Sequence, residues 1–390
     1  MTRLRPFLAL LAALCLTGCH RSQTPTALPG TAHSAYTITD LGEGTPTAIN
    51  NHGQVAGRFE AGKRPQSGIL GFLDNYTVTH GFLWSEGKRT EMPTLGGWDS
   101  YATDLDDSGH VLGNAGINKN GNPGYDAQHT CVWDGHTLTD LDSDPRFSGV
   151  QKLHLTPSGA IYALSPSQAP NDSQYLWFYP QGAAAGPRIN CGKIGDGSVN
   201  NLALGTAISD TGTVVGLWDN GQRDKNYRSI SHLFVWHPGD KHRTIVGTHS
   251  GPEFTPEPIA PNAISRANQV IGTIEQPRSS YHAAFWERGK THILGTLPGG
   301  DYSSARAINA SGQIVGFSNI STGKNSHSHV VLWEKGKVRD LSPLIPSGTQ
   351  WSRLENAVDI NDQGQIIGEG YFAGKPHVHG YLLTPIPAAR

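Results

Sequence analysis

AINASGQIVGFS, residues 307–318, decides how the chain is read. Its core recurs as AINNHGQVAG ending at Gly57, DLDDSGHVLG at Gly113, AISDTGTVVG at Gly216, AISRANQVIG at Gly272 and DINDQGQIIG at Gly368. A weaker copy, HLTPSGAIYA, ends at Ala163. The turn opens on Asn50, Asp106, Thr156, Ser209, Ser265, Asn309 or Asn361, each a short side chain able to hydrogen-bond the backbone two residues on. Three residues later stand Gly53, Gly109, Gly159, Gly212, Gly312 and Gly364, with Asn268 as the one substitute, and all of these tolerate positive φ. Apolar residues flank every copy, so the stretch predicts a tight β-hairpin.

A second element lies between these hairpins: HGFLWSEGK from His80, HTCVWDGH from His129, HLFVWHPGDK from His232, HAAFWERGK from His282, HVVLWEKGK from His329 and HGYLLTP from His379. Its counterpart in the third copy, YLWFYPQG from Tyr175, has no histidine. Each is an apolar run of strand length closed by a glycine turn and followed by a short segment such as KVRDL, residues 337–341. Every unit thus supplies four strands, and the units recur every 44 to 56 residues. Seven such units predict an all-β, seven-bladed β-propeller, with six or eight blades as the alternatives. YTITDL (36–41) opens the region without a preceding His-rich strand, and HGYLLTP closes it without an outer one. Pairing the two would complete one blade and remove the open sheet edges.

The pattern resembles the HAF-type extracellular repeat family, whose motif runs roughly HAF-L-W-x-x-G, then D-L-G-T-L-G-G, then A-x-x-I-N-x-x-G-Q-V-V-G. The unit at 282–318 matches it best, and the resemblance spans 36–387. It implies a propeller at or outside the cell surface and brings no catalytic residues. The third and fourth units depart most, with His154 in place of Ala and Tyr179 in place of Trp.

Among 390 residues, 48 are glycine and 25 proline, and 16% are charged, which suits a turn-dense β protein and disfavours long helices. The formal net charge of −2, with no basic stripe, argues against nucleic-acid binding. The N-terminus, residues 1–18, reads as a secretory signal: Arg3 and Arg5, then a short apolar run. Leu16-Thr17-Gly18-Cys19 resembles a bacterial lipobox, which implies cleavage before Cys19 and lipidation of that cysteine. Residues 19–35 read as lipidated cysteine plus tether, and 36–390 as the propeller. The His at position 20 leans the sorting towards the outer membrane. Cys131 and Cys191 read as buried free thiols, with a disulfide permitted by the compartment.

The six aligned histidines suggest metal, but equivalent residues in neighbouring blades stand on the order of 14 Å apart, far beyond shared ligation. They read as buried imidazoles bonded to loop backbone, and Trp84, Trp133, Trp236, Trp286 and Trp333 as wedges between sheets. The innermost strands usually place Ala before Ile, as at Ala48, Ala207, Ala263 and Ala307. Asp104, His154 and Asp359 break that pattern, yet Asp104 and Asp359 are placed too far apart for a glycosidase pair. No metal, cofactor or catalytic residue is expected. Recognition is assigned to the face built from inter-blade loops and the loops before the His-rich strands. Trp98, Asp99, Asp301, Tyr302, Trp351 and Arg353 are its candidate residues. The reading is a monomeric, membrane-anchored, non-enzymatic propeller that binds an envelope protein or glycan. The alternative is a propeller hydrolase or lyase acting on polysaccharide.

Overall fold

The computed structural model describes residues 36–63, 77–117, 127–148, 150, 152–165, 174–184, 186–194, 202–223, 229–248, 260–265, 267–276, 280–288, 290–320, 327–344, 348–375 and 377–386. The signal, Cys19 and the tether lie outside them, as do most residues of 60–79, 115–128 and 247–258, the long loops that the sequence assigns to the recognition face.

Seven four-stranded antiparallel sheets follow one another. Blade 6 shows the plan: Ser303–Ile308 innermost, then Ile314–Asn319, Ser328–Glu334 and Lys337–Asp340 outermost. Blades 1 to 5 span 45–91, 100–140, 152–194, 202–248 and 260–293. Blade 7 takes three strands from 351–385, and its outer strand is Tyr36–Glu43. That N-terminal strand runs antiparallel to Val378–Pro385, from Tyr36 opposite Pro385 to Glu43 opposite His379. The chain is therefore a seven-bladed propeller closed by pairing its two ends.

Each blade-to-blade interface has its own apolar cluster. The tryptophans act as the expected wedges: Trp133 joins blades 1 and 2, Trp236 blades 3 and 4, and Trp333 blades 5 and 6, all nearly inaccessible. At the seam, Leu41 from the N-terminal strand packs with Ile49, Val55, Ile367 and Leu382. Burial on this scale is the main favourable term holding the ring.

The glycine that closes each GQ-V-V-G copy has a specific cause. In six blades the inner strand bulges opposite it: Arg306 is the extra residue between the pairs Ala305–Gly316 and Ala307–Val315. The same bulge recurs at Thr47, Thr103, Thr206, Asn262 and Val358, facing Gly57, Gly113, Gly216, Gly272 and Gly368. A bulge tips the strand's carbonyl towards its partner. A Cβ on Gly316 would overlap the Ser304 carbonyl oxygen. Blade 3 confirms the link, because Ala163 replaces the glycine there and Lys152–Leu155 pairs without a bulge.

Gly316→Ala is therefore expected to lower stability by about 1–3 kcal/mol, the range for forced overpacking. Ala163→Gly, at the regular position, should lower it by only about 0.5–1 kcal/mol. Denaturant titration of both variants checks the order; equal losses would dissociate the glycine from the bulge.

Candidate functional site

The asparagine of the AIN turn does two jobs. Asn309 Oδ1 accepts the backbone N–H groups of Ser311 and Gln313, at 3.1 and 2.9 Å, and so builds its own turn. Its Nδ2 donates to Gln313 Oε1 and, at 3.0 Å, to the Asn361 carbonyl of the next blade. Asn361 repeats this towards Asn50 O at 2.9 Å, and Asn50 towards Asp106 O at 2.8 Å. All three asparagines are buried, and their amide groups are engaged on both the donor and acceptor sides. Asp106 has no donor to pass on; its carboxylate holds Ser108 N, His110 N and the His110 ring. Thr156, Ser209 and Ser265 serve their own turns. The hairpins from third to fourth strand on the same face are two-residue loops in blades 1 and 6, with Lys335 and Gly336 of blade 6 both at positive φ between Glu334 and Lys337, and are longer in blades 2, 3 and 4.

Inner strands of all seven blades line a central cavity of about 440 Å³ that opens among these turns. Asp104, Asp107, Lys152, His154, Asp210, Arg306, Asp359 and Asp362 are the charged or titratable side chains among its lining residues. His154 Nδ1 lies 3.1 Å from Asp104 Oδ2 and Nε2 lies 2.9 Å from Asp210 Oδ1, so the ring clasps blades 2, 3 and 4. Only the imidazolium can donate from both nitrogens. Burial alone would depress the ring, but the two aspartates outweigh it and push its pKa up to about 9. Asp104 also accepts Leu155 N from the next blade at 3.0 Å and Leu105 N at 2.9 Å. Asp359 makes the equivalent pair, Ile49 N across the seam at 3.1 Å and Ile360 N at 2.8 Å. Burial raises the Asp359 carboxyl to about 7 against the pull of those N–H groups, and the Asp104 charge adds to the rise. Both inward aspartates thus tie one blade to the next.

The aligned histidines divide between carboxylate partners and the expected loop backbone, which His282 keeps through Asp301. His129 and His329 bond the carboxylates of Asp140 and Asp340 on the outer strand, at 2.9 and 2.7 Å, and His379 bonds Asp40 at 3.0 Å. His80 combines both modes, with Glu91 on Nδ1 and the Trp98 carbonyl on Nε2. The aspartate eleven residues after His129 and His329 was the available signal, but a diagonal cross-strand contact is invisible without the register. Cys131 and Cys191 are free thiols. Burial, then Asp140 and Asp142, push the Cys131 pKa up to about 12, so the thiolate is suppressed.

The six candidate residues sit where three blades begin, and the structure divides them. Asp99 is buried and accepts Thr79 N at 2.9 Å; Trp98 beside it is half-buried. Trp351 is buried edge-on against Phe372, His379 and Tyr381. Asp301, Tyr302 and Arg353 are exposed, and Arg353 pairs with Glu355 at 2.7 Å while lying 4.8 Å above the Tyr371 ring. None of the six lines the central cavity, which opens at the other face.

The sequence matches no family model, and no curated protein matches it. Solved structures share its fold. The propeller domain of the Trilobed protease from Pyrococcus furiosus aligns at TM-score 0.50 and 8% identity, over 88% of this chain and 94% of that one. YCF48 bound to D1 peptide aligns at 0.50 and 9%, over 95% and 100%. The acylaminoacyl peptidase of Pyrococcus horikoshii aligns at 0.51 and 12%, over 91% of this chain and 52% of that chain. At such identities the likeness is one of fold. The Pyrococcus furiosus domain is described as having an open velcro topology, whereas here the terminal strands pair.

Stability should fall as pH rises. His154, near 6.5 when unfolded, contributes fully below that value and loses its contribution as pH rises through about 9. Asp359, near 3.9 when unfolded, is raised on folding, so it favours the folded state below that value and ceases to as pH passes about 7. Thermal midpoints across this range check the slope. His154→Gln should flatten its alkaline part and Asp359→Asn its acid-to-neutral part; unchanged slopes would refute both assignments.

Proposed function

We propose that the chain is a lipid-anchored, non-enzymatic propeller of the bacterial cell envelope that recognises a protein or glycan through the face of inter-blade loops. One observation carries the reading. Asn309, Asn361 and Asn50 on the hairpin face and Asp104, His154 and Asp359 in the channel are committed to joining blades, whereas Asp301, Tyr302 and Arg353 stand exposed on the opposite face without a repeat-wide counterpart. Loops on a rigid scaffold, carrying exposed aromatic and guanidinium groups, are what recognition surfaces are made of.

The channel supports the non-catalytic side. Both His154 nitrogens are held by carboxylates, so the ring has no site left to take a proton from a nucleophile. Both oxygens of Asp104 and of Asp359 accept backbone N–H groups. Anchoring rests on the lipobox-like Leu16-Thr17-Gly18-Cys19, and extracellular placement on the resemblance of the repeats to the HAF type.

Two measurements test the parts separately. Metabolic labelling with a fatty-acid analogue should mark the wild type and not Cys19→Ala; label on the mutant removes the anchor. Retention of envelope material by the full chain should drop at least about tenfold in Arg353→Ala and stay unchanged when Lys335, in the 334–336 turn, is replaced. The reverse pattern would move recognition to the hairpin face. Arg353 is preferred to Trp351 here, because removing a buried ring confounds binding with stability.

A further inference from the structure

Eight large hydrophobic side chains are exposed among the described residues, and they are not evenly spread. Ile189, Ile245 and Ile293 lie singly on outer strands, and Ile386 directly follows the last strand. Tyr281, Tyr302 and Ile320 gather where blades 5 and 6 meet on the loop face, with Tyr371 in blade 7. Scattered apolar groups need no explanation, but a contiguous aromatic set does.

The set is a ladder. The Tyr281 and Tyr302 ring centroids are 6.1 Å apart with planes inclined by 58°, forming a corner. Tyr302 stacks on half-buried Phe317 at 5.6 Å, nearly parallel. Beyond Phe317, the exposed Arg306 guanidinium lies 5.4 Å from that ring. Arg306 is the bulged residue of blade 6 and lines the channel, so the ladder runs from the channel wall outwards. Asp301, next to Tyr302 in the chain, adds an exposed carboxylate.

Tyr302 is fixed in place before any ligand arrives. Buried Asn319 accepts Tyr302 N at 2.8 Å and Asp301 N at 3.0 Å on one oxygen, and donates its amide to Asp301 Oδ1 at 2.7 Å. Asn319 N in turn donates to Tyr302 O at 3.0 Å. The preceding Gly299 and Gly300 let this loop lie on residues 319 and 320: a Cβ on Gly299 would come 2.8 Å from Ile320 O. A backbone clamped at both N–H and C=O loses little entropy on binding.

Resting on the loop-face reading, we infer that the Tyr281–Tyr302–Phe317–Arg306 strip is a binding site for a neutral, linear glycan. A pyranose has an apolar C–H face that packs on an aromatic ring and a rim of hydroxyls that need both donors and acceptors. The strip supplies both, with Arg306 donating and Asp301 accepting. Nucleobases also stack on such rings, but they come with phosphates that need a basic groove, and here one arginine is balanced by one aspartate. A protein hot spot favours an enclosed pocket for its anchor side chain, and this is a row of rings in series.

The test titrates the full chain with cellohexaose, chitohexaose, maltohexaose and mannohexaose, read by saturation transfer to the sugar C–H protons. At least one hexasaccharide should bind, with transfer to pyranose protons. Tyr302→Ala and Tyr281→Ala should each weaken it at least tenfold at unchanged melting temperature, while Tyr302→Phe keeps it within about threefold, since the ring face is retained. No binding by any of the four, or binding indifferent to both alanine variants, overturns the inference. If the sugars fail while envelope retention persists and depends on Arg353, the glycan site falls and the loop-face reading stands. If retention fails as well, both fall.

Discussion

The last sheet of this ring is completed by its first strand, and that seam holds the two ends of the chain together. Within blades 2 and 6 the histidine of the third strand bonds an aspartate eleven residues on, a local contact. In blade 7 the same contact joins His379 to Asp40, 339 residues apart. One repeated interaction thus becomes the long-range lock when the chain closes on itself. Loop-closure entropy grows only slowly with length, so the distance costs little once the local geometry is right. Asn361 reaching Asn50, Asp359 reaching Ile49 N, and Leu41 packed on Ile367 reinforce the same junction on the turn face, the channel wall and the core.

Much of this was legible because it is local. An asparagine followed three residues later by glycine declares its turn, and a tryptophan once per unit declares a wedge, whatever surrounds them. Seven copies with mismatched ends imply closure. What escaped needs knowledge of register. The bulge opposite Gly316 is not written in either strand alone, and neither is the pairing of His329 with Asp340. Exposure of the candidate residues escaped for a related reason. Asp99 and Tyr302 occupy equivalent places one residue before Ser100 and Ser303, two serines that each link the loop to the preceding blade. One points its carboxylate inwards to Thr79 N and is buried, whereas the other remains exposed.

The two faces of the disc differ because the repeat constrains only one of them. The turn face is where neighbouring blades touch polar group to polar group, with net contributions of about 0.5–1.5 kcal/mol for each such bond. A substitution at Asn309, Asn361 or Asn50 disturbs two blades at once, which ties those turns to one design. The loops of the other face begin and end strands whose pairing is already decided. Residues such as Asp301, Tyr302 and Arg353 can therefore be chosen for what they present to solvent.

Blade 3 shows that departures from the repeat are coupled rather than scattered. Replacing the glycine by Ala163 is incompatible with the bulged carbonyl, and its inner strand runs regularly. The Asn-type link from blade 2 is also missing, because Asp106 lacks an amide to donate. His154 makes good both losses. Entering the channel where the other units mostly keep alanine, it meets Asp104 on one side and Asp210 on the other. Two of these residues, Asp104 and His154, look in isolation like fragments of a catalytic site. Their hydrogen bonds make them the polar belt that carries the ring across its least regular blade, with the imidazolium's charge as the condition for both bonds at once.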